Sequence, residues 1–86
     1  MFIIKQQLHL HQNHIIMLVN KLGETIRNRR NELGITQPHL AELANISTNT
    51  LYKLESGQGN PSLDVLNKLA IVLGMELILQ VKQNVE

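Results

Sequence analysis

The chain has 86 residues, which is enough for one small domain. Hydrophobic residues make up 43% of it but aromatic residues only 2%, so the core must be built from leucine, isoleucine, valine and alanine, which favours packed helices. Because there is no cysteine, disulfides, cysteine-ligated zinc and thiol catalysis are excluded, and a formal net charge of +1 gives only weak evidence about partners.

No segment has the composition of a membrane anchor. The longest apolar run is IIMLV at 15–19, far shorter than the about 20 residues that a spanning helix needs. The polar stretch QQLHLHQNH interrupts any apolar run of the length that a signal peptide requires. We therefore expect a cytoplasmic protein.

Residues 1–19 differ in character from the rest of the chain. They contain three of the four histidines and several glutamines, and no helix-start signal. This composition predicts a weakly ordered N-terminal arm, which would become ordered only if a partner covers it. His9, His11 and His14 raise the question of a metal site, but without a rigid element or a fourth ligand we expect a mobile polar tail and no bound metal.

From residue 20 to residue 74 the spacing of apolar residues is helical, with turns and loops between the helices. A first helix is predicted over 21–33 from apolar residues at helical spacing, with Gly34 as its stop. Thr36 is a suitable N-cap for a second helix over 36–44. Asn45 then takes the turn, because asparagine tolerates positive φ better than most residues.

Two further helices follow. Ser47 caps a third helix over 47–56, and GQGNP forms a loop after it. Ser62 begins a fourth helix, which Gly74 ends. This fourth helix is apolar on more than one side, which suggests that it contacts something beyond its own core, such as a second subunit.

The last segment changes its period from helical to alternating. Leu77, Leu79 and Val81 fall on one side of an extended chain, and polar residues mostly occupy the other, as in a strand. A lone strand in a helical domain has no partner within its own chain, and an unpaired edge is a liability. We therefore expect residues 75–86 to form a dimerisation strand and tail, paired with the same strand of a second copy.

The second and third helices are separated by a turn of three residues, 45–47, if the cap Ser47 is counted. The small Ala41 lies near the middle of the second helix, where a helix that crosses it needs little bulk. This spacing predicts a helix-turn-helix, whose second helix enters the DNA major groove. The polar run Ser47–Thr50 opens that helix, and its short side chains would let the backbone approach base edges. Considered by itself, this run could instead be only a helix cap followed by a solvated first turn, and that alternative remains open.

Four motifs within residues 22–74 carry a family resemblance: IRNRRNELGITQ, LAELANIS, LYKLESGQGNPSLDVL and LAIVLG. Together they resemble the Cro/lambda-repressor-type (Xre-like) helix-turn-helix family. The resemblance implies an all-α bundle of four to five helices over 20–74, to which the C-terminal strand is added. It also implies a transcriptional regulator, most simply a repressor, that binds inverted repeats of double-stranded DNA as a homodimer.

The resemblance further implies which residues contact DNA. Gln37 matches a phosphate-binding position, Thr48, Asn49 and Lys53 match base-reading positions, and three others match positions near the DNA backbone. With the exposed Tyr52 and two arginines of the first helix, the predicted contacts are Arg27, Arg29, Gln37, Ser47, Thr48, Asn49, Thr50, Tyr52, Lys53 and Asn60. Two departures are Asn45, where the family usually has glycine, and Thr48, where many relatives have a longer arginine or glutamine.

Arg30 and Glu55 form a separate constellation. Arg30 falls within the apolar stripe of the first helix and Glu55 is turned inward on the third, and a half-buried charge needs a partner. The resemblance implies that the two form a structural ion pair. Arg27 and Arg29, by contrast, are expected to be free to meet phosphates.

The final stretch MELILQVK suggests an alternative function. A short repressor-like domain with this ending resembles the DNA-binding antitoxins of operons that encode HipA-type kinase toxins, in which a C-terminal strand pairs across the dimer. Such a protein would neutralise a toxin partner and autorepress its operon. A pure protein-interaction module is also possible.

Catalysis is not expected, because there are no paired carboxylates, no nucleophile with a base and no glycine loop for phosphates. No cofactor is predicted.

Overall fold

The computed structural model describes the backbone of residues 11–81 and the side chains of residues 17–81. Four helices lie in this part of the chain: α1 (His11–Glu32), α2 (Gln37–Ala44), α3 (Thr48–Glu55) and α4 (Leu63–Leu73). No strand is present between residues 11 and 81. The all-α helix-turn-helix fold is therefore confirmed. None of the helices in the described residues is long and apolar enough to cross a membrane.

Side-chain caps place the starts of three helices where the sequence predicts them. The hydroxyls of Thr36, Ser47 and Ser62 each accept a hydrogen bond from the backbone N–H three residues further on, at 3.2, 3.0 and 3.1 Å. Asn45 ends α2 in the left-handed conformation, with φ of 57°. Gly74, with φ of 69°, ends α4 in the same way.

The start of α1 is a correction to the sequence prediction. The helix begins at His11 rather than at residue 21, so residues 11–19 continue α1 and do not form a segment separate from it. The weak order of this arm stays a prediction. Val19 is buried and anchors this part of α1 to the domain. From such an anchor a helix extends at low cost, because each further residue adds one hydrogen bond. Residues 1–10, including His9, and the side chains of His11 and His14 lie outside the described parts.

The core lies where the four helices meet, and it is built almost entirely from leucine and alanine. Leu40, Leu51 and Leu69 have no exposed surface. The other members of the buried cluster are Ile26, Ala41, Ala44, Leu54, Leu66 and Leu73. Most of the apolar surface of α4 contributes to this core, which leaves Leu63 and Ile71 as its large exposed apolar residues.

α1 and α3 approach each other through a glycine. A Cβ atom added to Gly23 would lie 2.0 Å from the carbonyl oxygen of Leu54, far closer than two non-bonded heavy atoms approach. The two helices therefore touch backbone to backbone at this point, and only glycine fits there. This contact fixes the depth at which α3 lies against α1.

Residues 75–81 leave the end of α4 without helix or strand. Met75 still packs against the core, and its N–H donates to the carbonyl of Ala70 at 2.8 Å. Beyond it, Leu79 and Val81 are almost fully exposed. The predicted strand is thus not formed by residues 75–81 of a single chain. Since a β-ladder requires a second strand, pairing across a dimer stays a prediction.

Candidate nucleic-acid interface

One side of α3 packs against the rest of the domain, and its other side is exposed to solvent. Leu51, Leu54 and Glu55 are buried against α1 and α2, while Tyr52 and Lys53 are exposed. Residues three or four apart share a face of a helix, so the side chains of Thr48 and Asn49 lie on the same exposed side as Tyr52 and Lys53. The buried side thus fixes the helix while the exposed side remains available to a partner.

The polar run that opens α3 divides into two pairs. The hydroxyls of Ser47 and Thr50 lie 2.7 Å apart in a hydrogen bond, and the Ser47 oxygen also caps the helix. Thr48 and Asn49 make no such contact with any side chain between residues 17 and 81, and both are exposed. The cap and the free surface predicted as alternatives for this run are therefore both present, on different residues. Thr48 and Asn49 are the two residues of this run whose side chains remain free of such contacts.

The charge of this surface suits a polyanion. Between residues 45 and 63 the one acidic residue is Glu55, and it is buried and paired. Lys53 is exposed, and among the described side chains it has no carboxylate partner. Asn60, on the loop after α3, lines the same shallow depression as Lys53. No exposed carboxylate of this segment would thus repel a phosphate backbone.

Arg30 and Glu55 form the predicted ion pair. Arg30 Nε and Nη2 donate to the two carboxylate oxygens of Glu55 at 2.7 and 2.9 Å, a bidentate arrangement. The two side chains are only 12% and 2% exposed. The hydrogen bond to Glu55 raises the pKa of Arg30, and the charge of Glu55 adds to this, although burial acts in the opposite direction. Arg30 also donates to the carbonyl of Ile35 at 2.9 Å, so it ties the α1–α2 turn to α3.

Gln37 has a structural partner that the sequence interpretation missed. Its Nε2 donates to Glu55 Oε1 at 2.9 Å, so one carboxylate receives both the guanidinium and this amide. The second N–H and the amide oxygen of Gln37 are not used in that bond and remain for an external partner. No local pattern reveals this contact, because 18 residues separate Gln37 from Glu55.

Arg29 is not free, contrary to the prediction. Its Nε donates to the carbonyl of Leu73 at 2.9 Å, and its Nη1 contacts Glu32 at 3.2 Å. A cation at this place satisfies one of the carbonyl groups that the end of α4 leaves unpaired. Arg27, in contrast, is exposed and has no ion-pair partner among the described side chains. Of these two arginines, Arg27 is the one without an ion-pair partner among the described side chains.

Comparison with known proteins identifies the family to which the chain is similar. A family model described as "Helix-turn-helix" matches residues 26–79. An uncharacterized HTH-type transcriptional regulator of Methanothermobacter thermautotrophicus is 43% identical over 53 residues, which are 62% of this chain and 77% of that protein.

Two further matches are to longer proteins. A putative HTH-type transcriptional regulatory protein of Methanococcus maripaludis is 38% identical over 60 residues, covering 70% of this chain but only 18% of that protein. The crystal structure of the clp gene regulator ClgR from Corynebacterium glutamicum superposes with a TM-score of 0.64 at 33% identity, over 67% of this chain and 62% of ClgR. The chain therefore belongs to the Cro/lambda-repressor-type helix-turn-helix family of transcriptional regulators.

Proposed function

We propose that this protein is a dimeric, sequence-specific DNA-binding regulator that represses transcription from an inverted-repeat operator. The observation that carries the proposal is the free side of α3: Thr48, Asn49 and Lys53 are exposed and without side-chain partners between residues 17 and 81. A helix of eight residues is about 12 Å long, and the major groove is wide enough to admit it.

The contacts fall into two classes. Asn49 offers an amide that pairs with adenine in a two-pronged way, and the methyl group of Thr48 suits the methyl group of thymine. Arg27, Asn60 and the outward part of Gln37 are suited to phosphates, which position the protein without reading sequence. Two copies bound to one operator place their α3 helices about 34 Å apart, one turn of DNA.

Selection of bound duplexes from a random library, followed by titration of the best duplex by fluorescence anisotropy, tests the proposal. An inverted repeat should emerge, and the affinity should fall steeply with salt as phosphate contacts release counterions. Asn49→Ala should cost about 1–3 kcal/mol on the selected duplex and relax the preference at one base pair of each half-site. Asn67→Ala removes an asparagine of α4 that is also exposed and serves as the matched control.

Two results would count against the proposal. If the selected duplexes share no common sequence, the protein does not recognise a specific DNA sequence. Equal losses for Asn49→Ala and Asn67→Ala would show that α3 is not the reading helix.

An antitoxin that neutralises a HipA-type kinase toxin and autorepresses its operon is the second candidate. The observation that favours it is the extension of α1 over residues 11–19, which lengthens the surface open to a protein partner. Adding this protein to the kinase encoded beside its gene, if one is present, would test the role: loss of kinase activity on addition supports it. An unchanged activity, or the lack of such a gene, would leave the regulator as the sole candidate.

A further inference from the structure

Glu55 lies behind Gln37 and holds the end of its side chain. Gln37 Nε2 donates to Glu55 Oε1 at 2.9 Å, and the Glu55 side chain is almost completely buried. The same carboxylate accepts hydrogen bonds from Arg30 Nε and Nη2 at 2.7 and 2.9 Å, so it is itself fixed within the domain. A partly exposed side chain at the start of α2 is thus attached to a buried group that has little freedom to move.

We infer that Glu55 is a positioning residue for DNA binding. It holds the Gln37 amide in one orientation, from which the second N–H of that amide donates to a phosphate of the DNA backbone. The ion pair with Arg30 therefore serves the interface as well as the stability of the domain. The inference rests on the DNA-binding regulator proposed above and adds to it a residue that does not itself touch the duplex.

The chemistry of the two groups determines which way the amide faces. A carboxylate accepts hydrogen bonds but donates none, so Glu55 attracts the nitrogen of the Gln37 amide and repels its oxygen. Turning the amide over would lose the bond and set two oxygen atoms against each other. A phosphate is also only an acceptor, so it takes the N–H that Glu55 leaves unused.

The backbone end of Gln37 is fixed as well. Arg30 Nη1 donates to the carbonyl of Ile35 at 2.9 Å, and the Thr36 hydroxyl caps α2 by accepting from the N–H of His39 at 3.2 Å. Both contacts are made by residues within two positions of Gln37. The side chain is therefore held at its backbone and at its amide, and most of its rotamer freedom is already lost in the unbound protein.

Arg30 makes it possible to place a carboxylate so close to a phosphate. A lone negative charge behind Gln37 would repel the DNA backbone. The guanidinium of Arg30 balances that charge through the bidentate pair. Together Arg30 and Glu55 supply a strong acceptor for Gln37 without a net negative charge.

The benefit of this arrangement is that Gln37 is ordered before DNA arrives. A side chain that becomes ordered only on binding lowers the affinity by the entropy that it loses at that moment. For one side chain with several rotatable bonds, this loss corresponds to about 2- to 10-fold in the dissociation constant for each bound copy. Glu55 therefore improves affinity by this factor without a contact of its own.

A double-mutant cycle on the selected duplex tests the coupling. One change is Gln37→Ala, and the other is the combined replacement of Arg30→Met with Glu55→Leu, which removes the acceptor without leaving a stranded charge. Gln37→Ala should weaken binding in the wild-type background. It should weaken binding about 2- to 10-fold less in the replaced background, because a Gln37 that is not held contributes less. Equal losses in the two backgrounds would overturn the inference.

Arg27→Ala is the matched control for the cycle. Arg27 is exposed and has no ion-pair partner among the described side chains, so it does not depend on Glu55. Its replacement should weaken binding by the same factor in both backgrounds. If this loss also shrinks when the pair is replaced, the pair supports the docking of the whole domain, and the specific role of Glu55 toward Gln37 is wrong.

NMR spectra of the side-chain amides in the wild-type protein give a second test, which does not depend on the folding of any variant. In the free protein the heteronuclear NOE of the Gln37 amide should approach that of the α2 backbone and exceed that of the exposed Gln58. The selected duplex should shift one amide proton of Gln37 much more than the other, because the inward N–H stays on Glu55. An amide as mobile as that of Gln58, or one whose two protons shift alike, would refute the positioning.

These outcomes are distinguishable from a failure of the proposed function. A protein that binds no duplex removes both the regulator and the positioning role. A protein that binds its selected duplex but loses the same affinity through Gln37→Ala in both backgrounds leaves the regulator in place and removes only the role of Glu55.

Discussion

Replacing Arg30 by alanine should be the most damaging single change at the interface between α1 and α3. It would leave the Glu55 carboxylate, which is only 2% exposed, with the Gln37 amide as its remaining side-chain partner. Breaking a buried pair by removing one member costs about 3–5 kcal/mol, because the other charge is left uncompensated. The carbonyl of Ile35 also loses a donor.

That loss is a large part of the about 5–15 kcal/mol that stabilises a typical domain. For a chain of this size it corresponds to a fall in melting temperature of at least about 12 °C. Unfolding by urea, followed by circular dichroism, is the suitable assay, since guanidinium is a salt and would screen the pair under study.

Three further variants make the measurement decisive. Arg27→Ala, which removes an exposed arginine of the same helix, should change stability by less than about 0.5 kcal/mol. Arg29→Ala should cost about 1 kcal/mol, because it removes a part-buried hydrogen bond to Leu73. The double variant Arg30→Met with Glu55→Leu should lose less than Arg30→Ala alone. The reasoning fails if Arg30→Ala is no more harmful than Arg27→Ala.

Two backbone positions give further predictions, again measured by urea unfolding. Gly23→Ala should destabilise by about 1–3 kcal/mol despite the better helix propensity of alanine, because its Cβ would collide with the Leu54 carbonyl; an increase in stability would contradict the close contact. Asn45→Ala should cost about 1 kcal/mol through strain at φ of 57°, whereas Asn45→Gly should be neutral or stabilising. Equal effects of the two Asn45 variants would mean that the left-handed turn is not what this position selects.

Local signals in the sequence predict most of the fold. The three hydroxyl caps, the turn at Asn45 and the glycine that ends α4 each depend on residues within four positions of one another. Such signals are readable because capping chemistry is short-range. The start of α1 is different, because nothing local marks a helix that begins among histidine, glutamine and asparagine.

The candidate site was predicted less completely, and for a related reason. Spacing and resemblance identify α3 and the pair of Arg30 with Glu55. The contact of Arg29 with Leu73 spans 44 residues, and that of Gln37 with Glu55 spans 18. Such pairings depend on how the helices meet, which the sequence expresses only through the whole fold. Arg29 and Gln37, which the sequence predicts as contacts to DNA, therefore use part of their hydrogen-bonding capacity within the domain.

The glycine contact between α1 and α3 has a mechanical consequence. Where side chains separate two helices, their rotamers yield and absorb small displacements, but at Gly23 no compressible layer intervenes. The 22-residue α1 extends well past the Gly23 contact toward His11. Force applied to the far end of α1 would therefore pass to α3 by main-chain contact, without an intervening layer of side chains.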